Sequence, residues 1–222
     1  MARFNRLLIT GAAGNLGREL RRGLAPLAQT LRLSDRADME SAGENEEVVR
    51  CELGDFDSVM SLVEGCDGIV HFGAAPVERP WAEILDSSIK GGYNVYEAAR
   101  RHGIRRIVYA SSIHAVGFVR REEGADTDTP HRPDTLYGLS KCFVEDLAKL
   151  YFDKFGIESV CLRINSCFPE PADRRHLAGA ARRIPEPTAG DRTIQRGPFR
   201  AVGRFPPAGQ SGLAGERTRP GC

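Results

Sequence analysis

A tyrosine and a lysine stand four residues apart in Leu136-Tyr137-Gly138-Leu139-Ser140-Lys141. On a helix that spacing puts both side chains on one face. A nearby ammonium favours the phenolate, so the spacing predicts a tyrosine pKa below its usual ~10 and a phenol able to act as a base. Two other stretches carry groups that could work with it. Thr10-Gly11-Ala12-Ala13-Gly14-Asn15-Leu16-Gly17 follows an apolar run and opens a helical pattern. In such a loop the first glycine permits a tight turn, the second lets phosphate approach backbone, and the third lets helix pack on strand. The helix start then offers free N–H groups and a positive dipole end. Ala110-Ser111-Ser112-Ile113-His114 ends another apolar run with hydroxyls and an imidazole. Serines at a strand end are often only turn residues; beside the other two stretches they read as part of a site.

These groups need a scaffold that brings them together. Apolar runs read as strands at 6–10, 31–35, 46–53, 67–73, 105–112 and 157–165. Helical patterns fall between them: from the glycine loop to about Ala25, at 55–65 with Asp55 as N-cap, at 81–103, and from about Thr135 to Phe155. Strand–helix alternation predicts an α/β fold, a doubly wound parallel sheet with helices on both faces. In such a sheet ligands bind outside the carboxyl ends of the strands, where the glycine loop and Ser111-Ser112 would both lie.

Asp35 ends the second strand, downstream of the glycine loop. A carboxylate there accepts hydrogen bonds from adenosine ribose hydroxyls and repels a 2′-phosphate, which favours NAD. Arg36 follows it and could receive a 2′-phosphate, so NADP stays open at this point.

The 222 residues carry a formal charge of +1, which gives no indication of a nucleic-acid or membrane partner. No apolar run approaches a membrane span, and because MARFNRLLITG enters a strand pattern at once no cleavable leader is expected. Cys51, Cys66, Cys142, Cys161, Cys167 and Cys222 show neither a C-x-x-C pair nor zinc-like spacing, so reduced, mostly buried thiols in the cytoplasm are expected. No metal is expected.

Taken together, LLITGAAGNLGREL, GCDGIVHFG, NVYEAARRHG, RIVYASSIHAVG, LYGLSKCFVEDLAKLYFDKFG and LRINSCFPEP resemble the extended short-chain dehydrogenase/reductases. Within them the resemblance is to the NAD-dependent epimerase/dehydratase group and its bacterial uronate dehydrogenases, over roughly residues 4–178. It implies a Rossmann-type fold in a domain spanning residues 1–171. It implies Tyr137 as catalytic base, Lys141 lowering its pKa and holding the nicotinamide ribose, and Ser112 bonding the reacting oxygen. Gly11, Gly14, Asn15, Leu16 and Gly17 would hold the pyrophosphate, Asp35 the ribose, and Glu52 with Leu53 the adenine side. Gly73 and Cys167 complete the implied cofactor contacts. Ser112, His114, Ser166 and Arg175 match positions that contact a sugar acid, and the planar fork of Arg175 suits a carboxylate. The implied reaction is oxidation of a hexuronic acid, glucuronate or galacturonate, at C1 to an aldarolactone. Dimerisation through the two long helices is implied by the superfamily alone.

Three positions depart from the family pattern. Pro76 replaces a substrate-contacting serine, Ile113 an asparagine, and Ser88 an asparagine before the fifth strand. Losing hydroxyl-binding donors changes which substrate a site selects. A larger departure begins near Ala178, where the expected C-terminal elements do not appear. From Ala172 to Cys222 the chain has ten arginines, no lysine and four acidic residues, together with eight glycines, eight alanines and six prolines. That composition buries too little apolar surface to offset ordering entropy, so residues 172–222 are expected to be disordered. A GC-rich gene read out of frame yields such a run, and a frameshift near codon 178 is the expectation that resequencing tests. A genuine flexible basic tail is the alternative. Two other functions stay open at this stage: a sugar-nucleotide epimerase or dehydratase, and an NAD-binding but inactive product.

Overall fold

The structure, a computed structural model, describes residues 2–120, 122–165 and 167. The expected tail, 172–222, lies outside the described residues.

Six parallel strands form one sheet in the order β3-β2-β1-β4-β5-β6. They are β1 (Phe4–Thr10), β2 (Ala28–Asp35), β3 (Glu46–Arg50), β4 (Gly68–His71), β5 (Arg106–Ser112) and β6 (Glu158–Ile164). The order reverses between β1 and β4, which leaves a crevice at their carboxyl ends. Alternation along β1 decides the two cores. Leu7 and Ile9 pack on one face with Leu31, Leu33 and Val70; Leu8 packs on the other with Ile69, Ile107, Val59 and Val95.

The first face is covered by α1 (Asn15–Leu24), which a 3₁₀ turn, Ala25–Leu27, joins to β2. The second is covered by α2 (Phe56–Val63), α4 (Gly91–Arg101) and α5 (Leu136–Phe155). The expected N-cap at Asp55 is in place, and Thr135 caps α5 in the same way. Asp55 accepts from the Asp57 amide at 3.3 Å, and Thr135 accepts from the Gly138 amide at 2.9 Å. At the other end of α5, Gly156 takes the left-handed conformation with φ 68°, which a glycine adopts without steric cost.

The expected uniform helix over 81–103 is a composite. After α3 (Trp81–Glu83) the residues Ile84–Lys90 wind as a π-helix before α4 begins. The 3.6-residue period does not distinguish the wider turn from an α-helix, and the Ser87 hydroxyl bonds back to the Glu83 carbonyl at 2.7 Å within it. The π segment ends beside the crevice, where Ser88 Oγ accepts from the Ala75 amide at 3.2 Å.

Two glycines of α1 show how closely the crevice is built. A Cβ on Gly17 would stand 2.2 Å from the Gly11 carbonyl oxygen, whereas one on Gly23 would meet nothing within 4 Å. Alanine normally favours a helix over glycine by about 1 kcal/mol. Gly23→Ala should therefore stabilise the protein by roughly that amount, and Gly17→Ala should destabilise it by about 1–3 kcal/mol through forced displacement. Urea-midpoint measurements on both variants check the opposite signs.

Candidate active site

The crevice between β1 and β4 is a cleft of about 330 Å³. Six of the residues expected to meet a cofactor line it: Gly11, Gly14, Asp35, Glu52, Leu53 and Gly73. Gly11, with φ +74°, lies so near the end of β4 that a Cβ would come within 2.6 Å of the Phe72 backbone. Asn15 and Leu16 form the first turn of α1, whose N-terminus no side chain caps. Gly17 is buried against Gly11, so its part is packing rather than lining. Asp35 ties the loop to its strand, accepting from the Ala13 amide and the Ala37 amide, each at 3.0 Å. Each of its oxygens keeps a further lone pair for a ligand hydroxyl. Arg36 turns toward Glu83, 3.5 Å away.

A buried pair holds the two strand ends together. Thr10 Oγ1 accepts from the Gly73 amide at 3.1 Å and shares a hydrogen bond with His71 Nδ1, 2.8 Å away. His71 is fully enclosed, and burial with the nearby Lys141 charge pushes its pKa down to about 3, leaving the neutral ring.

At the end of β5 the structure gathers Ser112, His114, Tyr137 and Lys141. Ser112 is 5 % exposed and caps a 3₁₀ turn, Ile113–Val116, by accepting from the His114 amide at 3.2 Å. The His114 and Tyr137 rings meet edge to face with centroids 5.6 Å apart. Gly138 makes this approach possible: a Cβ there would stand 2.3 Å from the His114 carbonyl oxygen. Lys141 is 3 % exposed; its ammonium donates to the Ala110 carbonyl at 2.8 Å and lies 5.2 Å from the Tyr137 ring centre and 5.1 Å from that of Tyr109.

The tyrosine and lysine thus meet as their spacing predicts, but burial, which the spacing does not report, decides the net direction of the tyrosine shift. Burial raises the Tyr137 pKa above its ordinary value, and interaction with the Ser112 hydroxyl only partly offsets that. The ammonium lies over the ring and is engaged by a backbone carbonyl. Burial also pushes Lys141 down to about 8, against the pull of the Glu145 charge.

Three carboxylates that complete this region are absent from the expected set. Asp134 holds His114, with Nδ1 2.8 Å from Oδ1 and 3.0 Å from Oδ2. Glu145 is buried beneath the site, bonded by Ser111, by Arg163 at 2.9 Å and by His131 at 2.8 Å. Burial pushes its carboxyl upward, but those three bonds outweigh it and hold the pKa below the usual range. Glu78 reaches the start of α5. Of the three, only Glu145 had a local signal, standing one helical turn beyond Lys141.

Of the family departures, Pro76 lines the cleft and is exposed, Ile113 is 41 % exposed, and buried Ser88 anchors Ala75. Cys167 is exposed and not among the cleft residues, and Ser166 and Arg175 lie outside the described residues. Four of the thiols are buried as expected, Cys51, Cys66, Cys142 and Cys161.

Residues 7–196 match the NAD dependent epimerase/dehydratase family. The chain belongs to that family. It is 54 % identical over 176 residues to the uronate dehydrogenase of Pseudomonas syringae pv. tomato, covering 79 % of this chain and 64 % of that protein. It is 55 % identical over 175 residues to the uronate dehydrogenase of Agrobacterium fabrum, covering 79 % of this chain and 66 % of that one. Among solved structures, glucuronic acid dehydrogenase from Chromohalobacter salexigens superposes with a TM-score of 0.74 at 55 % identity, over 77 % of this chain and 64 % of the other. A uronate dehydrogenase variant from Agrobacterium tumefaciens, complexed with NAD, gives 0.74 at 50 % identity, over 82 % and 73 %. The chain spans slightly less than two thirds of the length of the uronate dehydrogenases it matches by sequence.

The buried lysine makes stability depend on pH. Lys141 holds its proton less tightly in the fold than in the unfolded chain, where the ordinary value is 10.5. Between pH 8 and 10.5 the unfolded state therefore binds the extra proton at this residue, and the lysine's own contribution to stability rises with pH across that window, against the opposite slope of the buried thiols and phenols. Lys141→Met should remove this contribution, worth roughly 3 kcal/mol, so that the difference in unfolding free energy between the two proteins changes by that amount over the window. Denaturant titrations of both proteins at its two ends provide the check.

Proposed function

We propose that this chain carries the site of an NAD-dependent dehydrogenase that oxidises a hexuronic acid, glucuronate or galacturonate, at C1. The observation that carries the reading is the convergence of Ser112, Tyr137 and buried Lys141 at the end of β5, one strand from a cleft edged by Gly11 and Asp35. The similarity to uronate dehydrogenases supports the substrate class.

The cleft fits NAD. The uncapped start of α1 presents amides and a positive dipole end to a pyrophosphate, and exposed Gly14 at that start carries no side chain to bar its approach. Asp35 favours a free ribose hydroxyl; Arg36 lines the cleft beside it, with its guanidinium 3.5 Å from Glu83. When bound, NAD supplies the acceptor for the hydride that leaves C1. Tyr137 takes the proton of the C1 hydroxyl, and Ser112 hydrogen-bonds that oxygen while the proton moves. Lys141 places a positive charge under the phenol, opposing the upward push of burial and favouring the phenolate. Loss of hydride and proton from the cyclic sugar acid leaves a lactone. His114, held by Asp134, contacts the sugar, and Ser166 and Arg175 are assigned the remaining contacts, Arg175 taking the carboxylate.

A cytoplasmic location suits the reduced buried thiols, and among the described residues no helix is long and apolar enough to cross a membrane. A homo-oligomer through α5 suits the stripe of exposed Leu136, Leu139, Phe143 and Leu150 along that helix.

Purified protein mixed with NAD and either uronate should form NADH, followed by absorbance. Tyr137→Phe should lower the rate by about 10²–10⁴-fold while leaving NAD binding in place. NAD binding with no turnover on either sugar acid would retire the substrate assignment and keep the cofactor site.

A further inference from the structure

The first three amides of α5, those of Leu136, Tyr137 and Gly138, precede the first helical hydrogen bond, from the Leu139 amide to the Thr135 carbonyl. Thr135 takes the Gly138 amide. The other two go to a residue nearly sixty positions away. Glu78 Oε2 accepts from the Tyr137 amide at 2.7 Å and Oε1 from the Leu136 amide at 3.3 Å. A carboxylate at a helix start is favoured by both the free N–H groups and the dipole. What is unusual is the element it comes from.

Glu78 belongs to the segment that follows β4, and Gly73 to Pro76 of that segment line the cleft. The segment is pinned along its length. The Gly73 amide donates to Thr10 Oγ1 at 3.1 Å and the Ala75 amide to Ser88 Oγ at 3.2 Å. Beyond Glu78, the Pro80 carbonyl accepts from the Glu83 amide at 3.0 Å and the Ile84 amide at 3.1 Å. Pro76 and Pro80 bracket Glu78, fixing φ at both positions and restricting the residues before them, so little freedom is lost when the carboxylate docks. The segment is a stiff strap with one end in the wall of the cleft. Its free carboxylate is attached to the backbone of the residue proposed as the base.

We infer that Glu78 is a positioning residue: it fixes the start of α5 relative to the cleft, so that the Tyr137 phenol is aimed by the same strap that lines the cofactor site. Glu78 touches neither reacting atom and works entirely through Tyr137. The kinetic consequence rests on the dehydrogenase reading above; the structural consequence does not. A displacement of the order of 1 Å at a reacting group costs up to about 100-fold in rate, so a loosened helix start should be visible in turnover.

The test uses the full chain and two variants, Glu78→Ala and Glu78→Gln. Glutamine keeps one carbonyl oxygen of the right reach, which can accept from the Tyr137 amide; alanine keeps none. Hydrogen exchange comes first, because it needs no turnover. Glu78→Ala should speed exchange at the Leu136 and Tyr137 amides by roughly tenfold or more, with Glu78→Gln in between. Unchanged exchange in the alanine variant overturns the contact itself. With NAD and the uronate that wild type oxidises, Glu78→Ala should lower kcat by about tenfold while the NAD dissociation constant stays within about twofold, and Glu78→Gln should recover most of kcat. Unchanged kcat overturns the positioning role. NAD affinity falling in step with kcat overturns it too, because the strap would then serve only the cleft. A parallel fall of kcat and KM also overturns it, since that pattern means the vacated amides hold the substrate's carboxylate unproductively. If wild type oxidises neither uronate, the dehydrogenase reading fails, and exchange at Tyr137 still decides whether Glu78 holds the helix.

Discussion

Three stretches of backbone meet at Gly11 with no space for a side chain between them. The ideal Cβ at that position would fall within 2.7 Å of the Phe72 and Gly73 backbone, and the Cβ of Gly17 would strike the Gly11 carbonyl. This contact sets how far β1, β4 and α1 lie from one another, so it sets the mouth of the cleft. A larger residue at Gly11 would also face the left-handed φ of +74°. Everything polar nearby is arranged around that fixed point. Asp35 spans from the end of β2 to the Ala13 amide, and Thr10 bridges the ends of β1 and β4 through His71 and Gly73.

Enclosing the site has an electrostatic consequence that shapes its chemistry. Tyr137 and Lys141 are both drawn toward their neutral forms by burial, the phenol upward and the ammonium downward. Within the protein, the group opposing this on the lysine side is Glu145, itself held ionised by Arg163, Ser111 and His131. Three successive residues of β5 divide the work. The Ala110 carbonyl takes the ammonium, the Ser111 hydroxyl bonds Glu145, and Ser112 faces the phenol. The strand end and one face of α5 therefore form a single polar unit in an otherwise apolar layer. Such a unit is costly when incomplete, because any member removed leaves the others buried without partners.

Local signals in the sequence specify most of this. The alternating apolar runs give the parallel sheet, the glycine spacing gives the loop, and Asp55 announces its helix. What the sequence hides is set by distance along the chain or by three-dimensional burial. Glu78 and Tyr137 are 59 positions apart, and Asp134 and His114 are 20 apart, so no period connects them. The π segment at Ile84–Lys90 shares its apolar pattern with an α-helix. The direction of the Tyr137 shift could not be read either: helical spacing supplies the nearby cation, but not the burial that outweighs it.

Pro76 shows how a departure from the family can be accommodated in one respect and costly in another. A serine there would present a hydroxyl to the cleft, and proline presents none. The ring, however, fixes φ two residues before Glu78, and its lack of an N–H leaves no unsatisfied donor at the exposed position. Ser88, where the family has asparagine, still supplies the acceptor for the Ala75 amide. The strap thus keeps its anchors on the protein side, and the contact implied to be lost lies on the ligand side. Under the proposed function, cofactor placement and catalytic geometry would depend on the anchors, and discrimination among sugar acids on the hydroxyl contacts. Under that proposal, a chain altered in this way would retain the chemistry of its site more readily than the substrate preference of the proteins it resembles.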